Sequence, residues 1–102
     1  MASFRLTQAA KADLKDIGRY TRKTWGLVQR DQYLTMLDGC FHELAVQPLK
    51  GRDCSDIQTG YRKHSAGSHV IFYRQADVGT IEIVRILHSR MDMEQHLSNP
   101  RL

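Results

Sequence analysis

The chain has 102 residues and a formal charge of +4, with a pI near 9.3, which suits one domain with a single modest core and excludes two. The basic surplus favours an acidic protein partner or nucleic acid, yet falls short of the dense Lys/Arg stripe of a dedicated DNA-binding arm. No apolar run reaches membrane-spanning length and residues 1–14 lack the apolar stretch of a signal peptide, so a cytoplasmic protein is expected.

Ser3 to Thr7 alternates polar and apolar side chains, as a short half-buried strand does, and Thr7 offers an N-cap hydroxyl to the helix after it. From Gln8 to about Thr24, Ala10, Leu14, Ile17 and Thr21 recur at helical spacing, with Lys11, Lys15, Arg19, Arg22 and Lys23 on the other faces. Gly26 after Trp25 is a helix stop, and a second helical pattern starts at once, so the two helices form a hairpin. Tyr33, Leu37, Cys40, Phe41 and Leu44 make the stripe of that second helix, and Leu34 and Ala45 widen it enough to touch two neighbours. It ends at Gln47, because Pro48 disfavours helical geometry before it. Residues 48–60 read as an irregular connection within the domain.

Three strands are expected at residues 60–65, 68–75 and 80–88, joined as an antiparallel meander by Ala66-Gly67 and by residues 76–79. Loops of two and four residues align Tyr61 with Phe72 and Ile83, and Arg62 with Ile71 and Val84. That register puts Arg62, His64, His69, Tyr73, Glu82 and His88 on one side and Lys63, Arg74 and Arg85 on the other, without saying which side the helices cover. Residues 91–97 add a last helical turn, with Asp92 and Glu94 near its N-terminus. The expected unit is one α+β domain over residues 1–97, with a frayed tail at 98–102.

Cys40 reads as a small core hydrophobe and Cys54 as an incidental loop thiol, and neither spacing suggests a zinc site or a disulfide. No metal ligands and no cofactor are expected. His42 points to water or caps a polar contact, and His96 near the terminus is uninformative. His64, His69 and His88 beside Arg62, Glu82 and Arg85 form an acid-base and phosphate-stabilising set on one reading, and partly exposed sheet residues on the other. Arg62, Lys63, Arg74, Arg85 and Arg90 are candidate phosphate contacts, with Tyr61, Phe72 and Tyr73 as stacking surfaces. Tyr20 and Trp25 at the helical turn are either core anchors or part of a groove for an amphipathic partner helix.

The run Ile81 to Asp92 carries a β-forming segment straight into a cluster of charge: Arg85-Ile86-Leu87-His88, then Arg90-Met91-Asp92. With Tyr61-Arg62, Ile71-Phe72-Tyr73-Arg74, Asp13-Leu14, Ile17, Trp25-Gly26 and the helix exit from Leu44-Ala45 to Pro48 and Gly51, the chain resembles ParE-type toxins of the RelE/ParE superfamily over nearly its whole length. The resemblance implies a RelE/ParE-like fold and a bacterial type II toxin that poisons DNA gyrase by binding, with no catalytic residues. It implies neutralisation by a ParD-like antitoxin, and DNA contact only indirect, through antitoxin or gyrase. Gyrase contacts are expected at Arg85, His88, Arg90, Met91 and Asp92, and antitoxin contacts at Arg19, Tyr20, Arg22, Lys23, Trp25, Tyr33, Leu34 and Leu37. The alternatives are a ribosome-dependent messenger ribonuclease of the RelE branch and a weakly toxic antitoxin-binding protein. The tail after Asp92 lacks the C-terminal Tyr of some RelE enzymes, which favours the gyrase branch.

Overall fold

The computed structural model describes residues 2–90. The helical turn and frayed tail expected after Arg90 lie outside the described residues, as do Met91 and Asp92. The chain opens with β1 (Ser3–Leu6), then α1 (Gln8–Trp25) and α2 (Leu27–Val46). After them come β2 (Arg52–Asp53), β3 (Tyr61–Ala66), β4 (His69–Asp77) and β5 (Thr80–His88). The expected α+β order is thus present, with one short strand, β2, that the sequence read as irregular.

The sheet runs β1-β5-β4-β3-β2. β1 lies parallel to β5, with Phe4 opposite Ile81, so the first and last strands of the described chain close one edge. Thr7 makes that closure stiff. Its hydroxyl donates to the Val84 carbonyl at 2.7 Å, and the same oxygen accepts from the Ala10 N–H at 3.0 Å as the N-cap of α1. Gly26 separates the two helices with φ 97, a conformation that favours glycine.

The meander is present, with a different register. Tyr61 faces Arg74 and Arg62 faces Tyr73, because the tight turn falls at Gly67-Ser68 and not at Ala66-Gly67. A slip of two residues preserves the faces of β3 against β4, since side chains alternate with that period. Between β4 and β5 the register breaks at Phe72/Tyr73: Phe72 is opposite Arg85 and Tyr73 opposite Ile83, which leaves Val84 as a bulge residue. Glu82 therefore lies beside Arg74, bonded to it at 3.0 Å, and not on the histidine side as expected.

The helices cover the face that carries Ile71, Tyr73, Ile81, Ile83 and Ile86, packed against Ile17, Leu37, Phe41 and Leu44. Phe41 is 2% exposed and its ring lies 5.4 Å from that of Phe4. The other face holds a smaller cluster of Val70, Phe72, Leu87 and Cys54, flanked by Ile57 and Tyr61. Cys54 is thus a buried packing residue rather than an incidental loop thiol, and burial pushes its thiol pKa up. Phe72 and Tyr73 are core residues, so they do not serve as stacking surfaces. The Tyr73 hydroxyl accepts from the Gly51 N–H and donates to the Pro48 carbonyl, both at 2.8 Å. Those bonds pin the connection that carries β2.

Candidate partner-binding groove

A groove of about 670 Å³ opens where the hairpin turn meets the ends of β4 and β5, lined by Asp16, Ile17, Tyr20, Thr21, Trp25, Gln29, Tyr33, Ser68, His69 and His88. Its walls are positioned by independent local causes. The helical spacing of α1 turns Ile17 and Thr21 inward, while Tyr20 and Trp25 stand 66% and 70% exposed. They are groove aromatics rather than core anchors. The Gly67-Ser68 turn brings His69 under Tyr33: the Ser68 N–H donates to the Tyr33 hydroxyl at 3.0 Å. Gly67 has φ 59, and a Cβ there would come 2.7 Å from that hydroxyl, so both conformation and space demand glycine.

The Tyr33 hydroxyl also sits 2.6 Å from His69 Nδ1, with the Ala66 carbonyl 3.4 Å away as a second acceptor. When His69 is neutral the hydroxyl donates to Nδ1. When it is protonated, Nδ1–H donates back and the hydroxyl turns to Ala66. The rings of His69 and His88 meet edge to face with centroids 5.4 Å apart, and His88 Nδ1 accepts the Arg90 N–H at 3.1 Å. Burial holds the His69 pKa below its ordinary value, and the neighbouring His88 adds to this while Asp13 opposes it.

The expected antitoxin contacts divide over the hairpin. Tyr20, Trp25 and Tyr33 line the groove. Arg19, Arg22 and Leu34 line a second concavity on the opposite flank of the hairpin with Leu14, Lys15 and Arg30. That concavity continues over Leu14 and Leu34 to Phe4 and Leu6. Lys23 is exposed near the turn. Leu37 is the correction: it is wholly buried beneath the helices, where its stripe position faces the sheet, and it offers no contact surface.

Among the expected gyrase contacts, His88 is partly exposed in the groove and Arg90 is exposed just beyond it. Arg85 is engaged internally. Its guanidinium binds both Asp13 oxygens at 2.8 and 2.9 Å, and the same carboxylate accepts the Ile86 N–H at 2.9 Å. That hydrogen bonding raises the Arg85 pKa against the effect of burial. The partner is not Glu82, the acid nearest in sequence, which is held by Arg5 and Arg74. Asp13 reaches β5 just past the end of β1 and takes over a backbone donor that β1 no longer covers, a role no spacing in the sequence announces.

The acid-base set does not assemble. His69 and His88 meet, but Glu82 is held between Arg5 and Arg74, Arg85 is committed to Asp13, and His64 lies in a separate concavity beside Lys50. His42 is exposed beside Asp38, as expected. Among the described residues, no cluster of His, Cys, Asp or Glu forms a metal site, and no helix is long and apolar enough to cross a membrane.

Residues 4–93 match the family profile of the ParE toxin of the type II toxin-antitoxin system parDE. The chain is 47% identical over 92 residues to toxin ParE1 of Mycobacterium tuberculosis, covering 90% of this chain and 94% of that one. It is 40% identical over 98 residues to toxin ParE1 of Caulobacter vibrioides, covering 95% and 99%. It is 32% identical over 99 residues to toxin ParE of Escherichia coli, covering 97% and 96%. The fold is similar to a chain of the chromosomal ParDE toxin-antitoxin system from P. aeruginosa, with a TM-score of 0.73 at 21% identity over 86% of this chain and 96% of that one. It is also similar to a chain of the RelBE2 toxin-antitoxin complex from Mycobacterium tuberculosis, with a TM-score of 0.62 at 21% identity over 85% and 96%.

Proposed function

The chain belongs to the ParE toxin family of type II toxin-antitoxin systems, and from that premise we propose that it inhibits DNA gyrase in the cytoplasm by binding and is neutralised by a ParD-like antitoxin. The observation that carries this reading is that His88 shares one groove with the exposed aromatics Tyr20 and Trp25 and with Tyr33. A partner segment anchored on those rings covers the strand end from which His88, Arg90, Met91 and Asp92 reach gyrase. Neutralisation is then steric. Large aromatics in a concave patch are the side chains that carry binding energy at protein interfaces. Arg19, Arg22 and Lys23 near the turn favour an acidic partner.

Inhibition by binding requires exposed contacts, which Arg90 and the partly exposed His88 offer at the strand end. Trp25 is the sole tryptophan, so its emission reports directly on occupation of the groove. Purified protein is expected to block gyrase supercoiling and accumulate cleaved DNA, and a stoichiometric amount of the cognate antitoxin to reverse both while shifting Trp25 emission to the blue. Transcript cleavage at ribosomes with supercoiling unaffected would transfer the function to the ribonuclease branch. Reversal of inhibition without any change in Trp25 emission would move the antitoxin away from the groove.

A further inference from the structure

At the β2 edge of the sheet, Lys50, Arg52, Lys63 and His64 line a concavity of about 430 Å³ together with Gly51, Ser65 and Val70. Arg52 and Lys63 are directly opposed across the β2-β3 ladder, an arrangement in which like charges destabilise the pairing. Among the described residues no carboxylate forms an ion pair with either of them. Glu43 pairs with Lys50 alone.

The backbone beneath this charge is held in place. Tyr73 takes the Gly51 N–H at 2.8 Å and the Arg62 guanidinium donates to the Gly51 carbonyl at 2.7 Å, so residues on both sides of Gly51 present their cations from a clamped loop. His64 titrates below the ordinary imidazole range, through burial first and the Lys50 ammonium second, which places both groups in one field.

We propose that this concavity is a binding site for the phosphodiester backbone of nucleic acid. Opposed cations without internal counter-charge are stabilised by an external anion, and phosphates are met by Lys, Arg and hydroxyl groups without any requirement for base contacts. An acidic protein segment fits less well, because the lining has no exposed aromatic or large aliphatic anchor of the kind that protein interfaces need. The site adds a direct contact where the sequence pointed only to contact through antitoxin or gyrase. It stands apart from the gyrase reading, and either can fail without the other.

The test is fluorescence anisotropy of the full chain with a labelled 20-base-pair duplex, in DNA and RNA forms, over a series of salt concentrations. The parent is expected to bind both forms in the range of about 1 to 100 μM, as non-specific phosphate binding does. R52Q combined with K63Q is expected to lower the slope of log affinity against log salt by about 2, near 0.9 for each phosphate no longer neutralised. Its melting temperature is expected to be no lower than the parent's, since the opposed charges are gone. K11Q combined with K15Q, which removes equal charge from the exposed side of α1, is expected to leave the slope within about 0.5 of the parent. Equal losses in the two double variants would reduce the effect to net charge and overturn the site. So would binding of poly-glutamate as tight as binding of the duplexes.

Discussion

The groove and the basic concavity each hold a histidine whose pKa is lowered by burial, His69 in one and His64 in the other, but their surroundings differ. In the groove, Tyr33 is hydrogen-bonded to His69 and Ser68, and His88 to the Arg90 N–H, the two histidine rings meet edge to face, and Tyr20 and Trp25 face outward. At the β2 edge the backbone is satisfied by Tyr73 and Arg62, while Arg52 and Lys63 above it have no carboxylate partner among the described residues. Internally satisfied polar groups beside exposed rings suit a protein partner that excludes water. Unpaired cations on a clamped backbone suit a hydrated polyanion. A mildly basic net charge conceals both, because it averages over a sheet with two unlike ends.

The largest expected effect removes the support common to both regions. Phe41→Ala is expected to cost about 3 to 5 kcal/mol in reversible urea unfolding, since the ring is buried against Phe4 and the sheet. A change below about 0.5 kcal/mol would show that the two ends do not depend on one core.

Asp13→Ala comes next and separates the regions. It leaves Arg85 without its carboxylate and the Ile86 N–H without its acceptor, at an expected cost of about 3 kcal/mol. Because Asp13 ties α1 to β5 beside the groove, antitoxin affinity should fall while duplex binding at the β2 edge persists. Equal losses at both, measured well below the melting temperature, would merge the two regions into one unit.

Tyr20→Ala combined with Trp25→Ala should leave stability within about 0.5 kcal/mol, as both rings are exposed. Antitoxin affinity is expected to fall about 30-fold or more, the scale of an interface hot spot. Calorimetric titration checks this, and unchanged affinity would place the antitoxin on the Leu14-Leu34 flank of the hairpin instead.

The smallest effect is in pH. His64 and His69 both have folded pKa values below 6.5, so the unfolded chain binds more protons in that range. The stability they contribute is full above pH 6.5 and is lost as pH falls through their folded values. His64→Gln and His69→Gln should each flatten that decline in denaturant midpoints measured from pH 7.5 to 5. A decline that is unchanged in both variants would assign it to other groups.

Several of these residues are legible in the amino-acid sequence alone. The Thr7 cap, the Gly26 break and the Gln47 stop depend on side-chain and backbone chemistry within a few residues, so helix boundaries follow from local sequence. That Tyr20, Trp25 and Tyr33 come together is readable on the same basis, as neighbours across a short helical turn. Leu37 is misread because a stripe wide enough to touch two neighbours does not say which of its members faces neither solvent nor partner.

Register and long-range pairing are not legible in this way. The Val84 bulge moves Glu82 to the Arg74 side and leaves Arg85 to an acid 72 residues away, because a single inserted residue inverts the alternation from which faces are read. The opposition of Arg52 to Lys63 requires β2, a strand of two residues whose preceding Gly51 is held by Tyr73 and Arg62 from other strands of the sheet. The sequence by itself determined the helices, the meander and the aromatic turn, whose causes are local. The tertiary structure decided which charges find partners and which are left for a ligand, since a charge's free energy depends on what the whole fold brings within a few ångströms of it.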